Sequence, residues 1–122
     1  MKAIKLDLDG GKSLLRETLK RIEIANKILD NNFETTIVYK TKHGWHLYIT
    51  AKKDLGEYRI VAMQAILGSD WARELYNYKR VGLNKSKNWN ILFKVKRNLE
   101  GKILSKEKYY CTINYKRVLK NG

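Results

Sequence analysis

The first stretch, Ile4-Lys5-Leu6-Asp7-Leu8-Asp9, alternates apolar and polar residues, the pattern of a strand with one buried face. Ile4, Leu6 and Leu8 then enter a core, while Lys5, Asp7 and Asp9 share the opposite side. After Gly10-Gly11, Ser13 is a candidate N-cap, and Leu15, Leu19, Ile22, Ala25 and Leu29 recur at three- and four-residue steps, which predicts an amphipathic helix ending near Asp30-Asn31-Asn32. Thr35 to Tyr39 and Trp45 to Thr50 are β-branched and aromatic runs around Gly44 and predict a hairpin. A helix is predicted over 57–67, closed by Gly68, with Tyr58, Val61, Ala62, Ala65 and Ile66 as its inner face. Another, capped by Ser69 or Asp70, runs to about Arg80 with Trp71, Leu75 and Tyr78 inward. Residues 89–96 read as a strand with Ile91, Phe93 and Val95 on one side, and 98–101 as a turn. Tyr109, Cys111, Ile113 and Tyr115 alternate in a last strand expected to pair antiparallel with its predecessor.

This order predicts one α+β domain over residues 1–122. It follows the split βαβ plan of ferredoxin-like and RNA-recognition (RRM-like) folds, with helices on one face of the sheet and a C-terminal antiparallel strand pair. In that plan the first and third strands are central neighbours. Trp45, Leu47 and Ile49 would fill the core, leaving His46 and Tyr48 on the open face beside Asp7 and Asp9.

Charge narrows the class. The chain carries 26 Lys or Arg against 12 Asp or Glu, a formal +14, which points to a polyanionic partner. Residues 79–122 hold 13 basic side chains against Glu100 and Glu107, or +11, whereas residues 1–78 hold 13 against 10, or +3. The basic footprint is therefore expected toward the C-terminus, with Lys79, Arg80, Lys85 and Lys87 as nucleic-acid contacts and Tyr48 as a base-stacking ring. No apolar run has the length of a membrane span and no secretory signal pattern opens the chain, so the expected location is cytoplasmic, with no membrane partner. Cys111 is the one cysteine, which excludes an intrachain disulfide and suits a buried thiol.

Two carboxylates side by side on a strand repel unless a cation lies between them, and a divalent metal is the simplest one. Phosphoryl and nucleotidyl transfer use such metals to orient a triphosphate. Thr41-Lys42-His43-Gly44-Trp45-His46 places a hydroxyl, a lysine and a glycine ahead of the histidine, a composition suited to phosphate.

Taken together, Asp7-x-Asp9 and Thr41-x-x-Gly44-Trp45-His46-Leu47-Tyr48 resemble the first two motifs of the archaeo-eukaryotic primase superfamily, the primase-polymerases, in a minimal version. The resemblance implies a metal-dependent nucleotidyltransferase that uses Mg2+ or Mn2+, nucleoside triphosphates and a nucleic-acid template, single-stranded or template-primer, with a replication protein as a further partner. It makes Asp7, Asp9 and His46 the catalytic set. Asp7 and Asp9 become metal ligands, and Thr41, Lys42 and His46 nucleotide contacts, with Thr in place of the family's usual Ser. A third acidic position is expected within Leu67 to Asn77, where Asp70 is the candidate metal ligand, Glu74 a second choice and Asn77 a substituted equivalent. The alternative is a catalytically inactive single-stranded nucleic-acid-binding protein on an RRM-like scaffold. A core role for His46 and a salt bridge from Asp7 to Lys42 are the plainer readings of those side chains. Paired metal-binding histidines of a rolling-circle nuclease are excluded by spacing, because His43 and His46, three apart on a strand, face opposite ways.

Overall fold

The computed structural model describes residues 3–83, 90, 95–97, 100 and 103–115. Its elements are β1 (Ile4–Asp9), α1 (Lys12–Ile28), β2 (Phe33–Lys40), β3 (Gly44–Ala51), α2 (Glu57–Ile66), α3 (Trp71–Leu83), β4 (Val95–Arg97), β5 (Ile103–Lys106) and β6 (Lys108–Asn114). Four strands form an antiparallel sheet in the order β1-β3-β2-β6, and β4 and β5 pair antiparallel as a separate ribbon. This is an α+β fold consistent with the split βαβ plan, with β1 and β3 adjacent as expected.

The core follows the strand alternation. Ile4, Leu6 and Leu8 of β1, Trp45, Leu47 and Ile49 of β3, and Phe33 and Val38 of β2 are buried in one cluster with Leu15 and Ile22 of α1. Removing each such side chain from water stabilises the fold by roughly 1.5–3 kcal/mol. Gly11, and not Ser13, is the N-cap of α1, and Ser13 lies exposed within the first turn. The helix ends where Asp30 and Asn31 both take left-handed backbone (φ 57 and 58), which short polar side chains tolerate. Asn26, buried on α1, accepts the Phe33 N–H at 2.8 Å and so fixes the entry into β2.

Three expectations change. Among the described residues the last strand pairs with β2 and not with β4, the described part of the strand expected before it, and β1 is an outer strand of the four-stranded sheet where a central place was expected. A bulge opposite Val38 and Tyr39 places Tyr109 against Tyr39 and Cys111 against Val38, which breaks the expected common face of Tyr109 and Cys111. Cys111 is a free thiol, half-buried, its pKa raised by burial. The expected inner faces of α2 and α3 are also displaced. Tyr58, Ala62, Ala65, Ile66, Leu75 and Tyr78 are exposed, while Ile60, Val61 and Gln64 of α2 and Glu74, Asn77 and Val81 of α3 face inward. Of the strand expected over 89–96, residues 89 and 91–94 lie outside the described residues, as do Lys85 and Lys87.

The reason for that inversion is the outer edge of β1. Its backbone groups have no strand partner among the described strands, and the helices supply polar substitutes. The Lys5 N–H donates to Gln64 Oε1 (2.8 Å) and the Lys5 carbonyl accepts from Arg73 (3.2 Å). The Asp7 N–H donates to Ser69 Oγ (3.0 Å) and the Asp7 carbonyl accepts the Asp70 N–H (3.0 Å). An unpaired buried peptide group costs about as much as a lost hydrogen bond, so α2 and α3 turn amides and charges, not leucines, toward this edge. Glu74 accepts from Gln64, Arg73 and Asn77, and Asn90 joins Arg73, Gln64 and the Ala3 carbonyl. No buried side-chain polar atom of the described residues is left without a partner.

Candidate active site on the open sheet face

The β1–β3 register sets Asp7 directly opposite His46, and the β2–β3 register sets Tyr39 on its other flank. Residues opposite one another in a ladder share a face, so Asp7, His46 and Tyr39 stand together on the side away from the core. His46 is nevertheless only 4% exposed. Its Nδ1 pairs with Glu107 Oε2 at 2.8 Å and its Nε2 faces Asp7 Oδ1 at 3.5 Å. Tyr48, two residues along β3, donates its hydroxyl to the same Glu107 oxygen at 3.0 Å and meets Tyr39 edge-on with ring centroids 5.4 Å apart.

Burial alone would push the His46 imidazole below its ordinary value, but hydrogen bonds to Asp7 and Glu107, together with their charges, outweigh it and raise the pKa. The ring is thereby favoured as a cation held between two carboxylates. Tyr48 is raised as well, by burial first and then by its bond to Glu107, so its phenol stays a donor.

Glu107 is the member that pattern reading did not single out. It stands between β5 and β6, where no periodicity marks it, and its side chain is 8% exposed. The available signal was compositional: it is one of two carboxylates among the last 44 residues, which are otherwise strongly basic. A carboxylate kept in such a segment suggests a cationic partner elsewhere in the fold, and His46 is that partner.

The expected site residues divide into those drawn together and those left apart. Asp7 and His46 meet, and Tyr48 joins them through Glu107. Asp7 keeps 41% of its side chain exposed, and Asp9, two residues on, is exposed on the same side of the strand. Thr41 and Lys42 lie in the β2–β3 turn, where the Thr41 hydroxyl accepts the Gly44 N–H (3.0 Å); the His43 carbonyl accepts the Gly10 N–H (3.0 Å), docking the turn against the end of β1. Lys42 is exposed, and the side chain that meets Asp7 is His46 rather than the lysine.

Gly44 has a structural reason of its own. A Cβ there would lie 1.8 Å from the Leu8 carbonyl oxygen, so the close approach it permits is to β1. Trp45, fully buried, donates its indole N–H to the Gly11 carbonyl (3.1 Å) and holds the glycine loop in place.

The third-motif candidates do not converge as a set. Asp70 is exposed, caps α3 by accepting the Arg73 N–H (3.3 Å), and lies beside Asp7 through its backbone. Glu74 and Asn77 are buried in the β1-edge network. Lys79 and Arg80 are exposed on α3. Among the described residues no group of three or more His, Cys, Asp or Glu side chains is arranged to hold a metal. The donor chemistry of Asp7 and Asp9 nevertheless suits Mg2+ or Mn2+. Magnesium above all is commonly held by one or two carboxylates, with waters and phosphate oxygens completing the shell.

No protein-family model, no curated protein and no solved structure matches the chain. The fold and the site geometry are therefore what any functional reading stands on.

Proposed function

We propose that the chain is a metal-dependent nucleotidyltransferase of primase-polymerase type, acting on a nucleoside triphosphate and a nucleic-acid template. The observation that carries the reading is the pairing of Asp7 with His46 on the open face, the imidazole backed by Glu107. Glu107 holds Nδ1 and favours the imidazolium, which leaves Nε2–H directed toward Asp7 across a gap long for a strong hydrogen bond. A phosphate oxygen entering there gains a charged donor already oriented, while Lys42 on the adjoining turn adds positive charge. Asp7 and Asp9 would hold Mg2+ or Mn2+, which supplies charge neutralisation on the triphosphate. No helix of the described residues is long and apolar enough to cross a membrane, and a cytoplasmic replication setting accords with this reading.

A second reading, the inactive single-strand binder, is favoured by one specific observation: Glu74 and Asn77, in the segment expected to give the third carboxylate, are tied into the β1-edge network. The two readings separate by assay. Wild-type protein is incubated with a labelled nucleoside triphosphate, Mg2+ or Mn2+ and a primed or unprimed oligonucleotide. Incorporation that vanishes in Asp7→Asn and in Asp9→Asn, with strand binding intact, supports the transferase. Tight strand binding with no incorporation under any metal or template leaves the binder.

A further inference from the structure

The flank of α1 that overhangs the outer strand β6 leaves a cavity of about 270 Å³ between the two. It lies on the side of the sheet away from the open face, because Ile113 stands opposite the buried Thr36, whereas His46 stands opposite Tyr39, an odd number of residues along β2. Leu19 of α1, Ile113 and the Tyr115 ring form its apolar walls. Along α1 the lining steps from Leu19 through Glu23 to Asn26, with Lys20 and Lys27 beside them, positions that share one flank of a helix. Asn26 is only 6% exposed. Its Oδ1 accepts the Phe33 N–H, which fixes the orientation of the amide and leaves both Nδ2 hydrogens over. Nδ2 has no partner among the described residues, and since no side-chain polar atom sealed from solvent there is unpaired, it opens on the cavity. Burial raises the Tyr115 pKa, its bond to Thr36 opposes the rise and the Glu23 charge adds to it, so the carboxylate on α1 is felt by the phenol across the cavity. Lys20, Glu23 and Lys27 are exposed at the rim, and the Glu23–Lys27 contact, at 3.9 Å, is long enough to leave both side chains available.

A cavity of this size falls between the roughly 150 Å³ that admits a benzene ring and the roughly 300 Å³ at which sites for drug-sized ligands begin, so it suits a two-ring group. The apolar walls favour a flat ring. The Asn26 donor asks that ring for an acceptor, and the Glu23 carboxylate asks it for an N–H. A purine carries both on its edges, whereas an indole or naphthyl ring has no acceptor to offer. Two ammonium groups at the rim, against one carboxylate, match a phosphate attached to the base. We infer that the cavity between α1 and β6 is a binding site for a purine nucleotide, its base between Leu19, Ile113 and Tyr115, a ring acceptor on Asn26 Nδ2 and its phosphate at Lys20 and Lys27. This site is separate from the triphosphate site proposed on the opposite face and needs neither a metal nor Asp7.

The test is an NMR titration of isotope-labelled full-length protein with adenosine or guanosine monophosphate in the absence of divalent metal. For at least one of the two, the Asn26 side-chain amide pair and the backbone amides of Ile113 and Tyr115 are expected to shift and saturate, while those of Asp7 and His46 stay in place. Cytidine monophosphate, with a single ring, is expected to bind about tenfold more weakly. Asn26→Asp keeps an acceptor for the Phe33 N–H but removes the donor, and should weaken the purine nucleotide about tenfold. Lys20→Gln/Lys27→Gln should weaken the nucleotide and leave the nucleoside unchanged. Ile113→Trp fills the cavity from β6 and should abolish binding. Circular dichroism establishes which variants are folded. Absence of shifts at Asn26, Ile113 and Tyr115 at millimolar nucleotide overturns the inference, as do shifts confined to Asp7 and His46 or equal binding of cytidine monophosphate. So does a folded Ile113→Trp or Asn26→Asp that binds like the wild type, or a lysine pair whose loss weakens nucleoside and nucleotide equally. Asp7→Asn is expected to give the wild-type titration whatever the incorporation assay shows, so the two sites stand or fall separately.

Discussion

Helix α1 and the α2–α3 pair border the same sheet and solve opposite problems. Under α1 lies the sheet's apolar face, whose backbone is already paired within the ladder, and the helix answers with Leu15 and Ile22. Beside α2 and α3 lies the outer edge of β1, whose N–H and C=O groups point sideways, and there the helices, which also send Ile60, Val61 and Val81 into the core, answer with Gln64 and Arg73, and the turn between them with Ser69 and the Asp70 amide. A sheet face asks a helix for hydrocarbon; a sheet edge asks it for donors and acceptors. An apolar stripe therefore indicates an inner face only where the neighbouring surface is itself a face.

The sharpest way to break this contrast uses two adjacent residues of α3. Glu74 is 3% exposed and polar, Leu75 is 61% exposed and apolar. Glu74→Ala is expected to cost about 3–5 kcal/mol, because it leaves Arg73 and Gln64 facing one another without their shared acceptor. Leu75→Ala is expected to stay within about 0.5 kcal/mol. Urea denaturation of the two variants measures both, and a larger destabilisation by Leu75→Ala would reverse the account of how α3 sits.

A smaller effect sharpens the same point on α2. Gln64→Leu restores the apolar pattern that helix periodicity favours, yet it strips the Lys5 N–H of its acceptor and Glu74 of a donor. A destabilisation of about 1–3 kcal/mol is expected from urea denaturation, the cost of an unsatisfied buried group. A stabilised Gln64→Leu would mean that the edge is hydrated instead.

How much was legible in the sequence follows from the same distinction. Strand alternation is a local signal, so the core set of Ile4, Leu6, Leu8, Trp45, Leu47 and Ile49 and the meeting of β1 with β3 could be read from pattern and plan. The opposition of Asp7 and His46 followed from that adjacency. Three features depended on partners far along the chain and left no local mark: the pairing of β6 with β2, the polar inner faces of α2 and α3, and Glu107. Glu107 lies 61 residues from His46, in a one-residue gap between strands, where no period of 2 or 3.6 applies. Its sole trace was its charge, isolated among lysines.

The open face gives the comparison its smallest and most specific test, since there too buried polar groups must be satisfied, now by a group that titrates. An imidazolium has two N–H donors and can serve Glu107 through Nδ1 while its Nε2 faces Asp7; a neutral imidazole has one donor and must leave one carboxylate without it. The folded-state pKa of His46 is raised. Its contribution is therefore fully present below the unfolded value, about 6.5, and fades as pH rises through the higher folded value. Unfolding free energy measured in urea at a series of pH values is expected to decline across that window in the wild type. In His46→Asn the decline should disappear. In His43→Asn, where the replaced ring is exposed in the β2–β3 turn, it should persist. Glu107→Gln keeps a side-chain oxygen for the ring and for Tyr48 but removes the charge, so it should shrink the decline without abolishing it, because Asp7 remains. An identical pH slope in wild type and His46→Asn would show that the imidazole is not held as a cation between the two carboxylates, and the phosphate-facing role given to its Nε2 would lose its electrostatic basis.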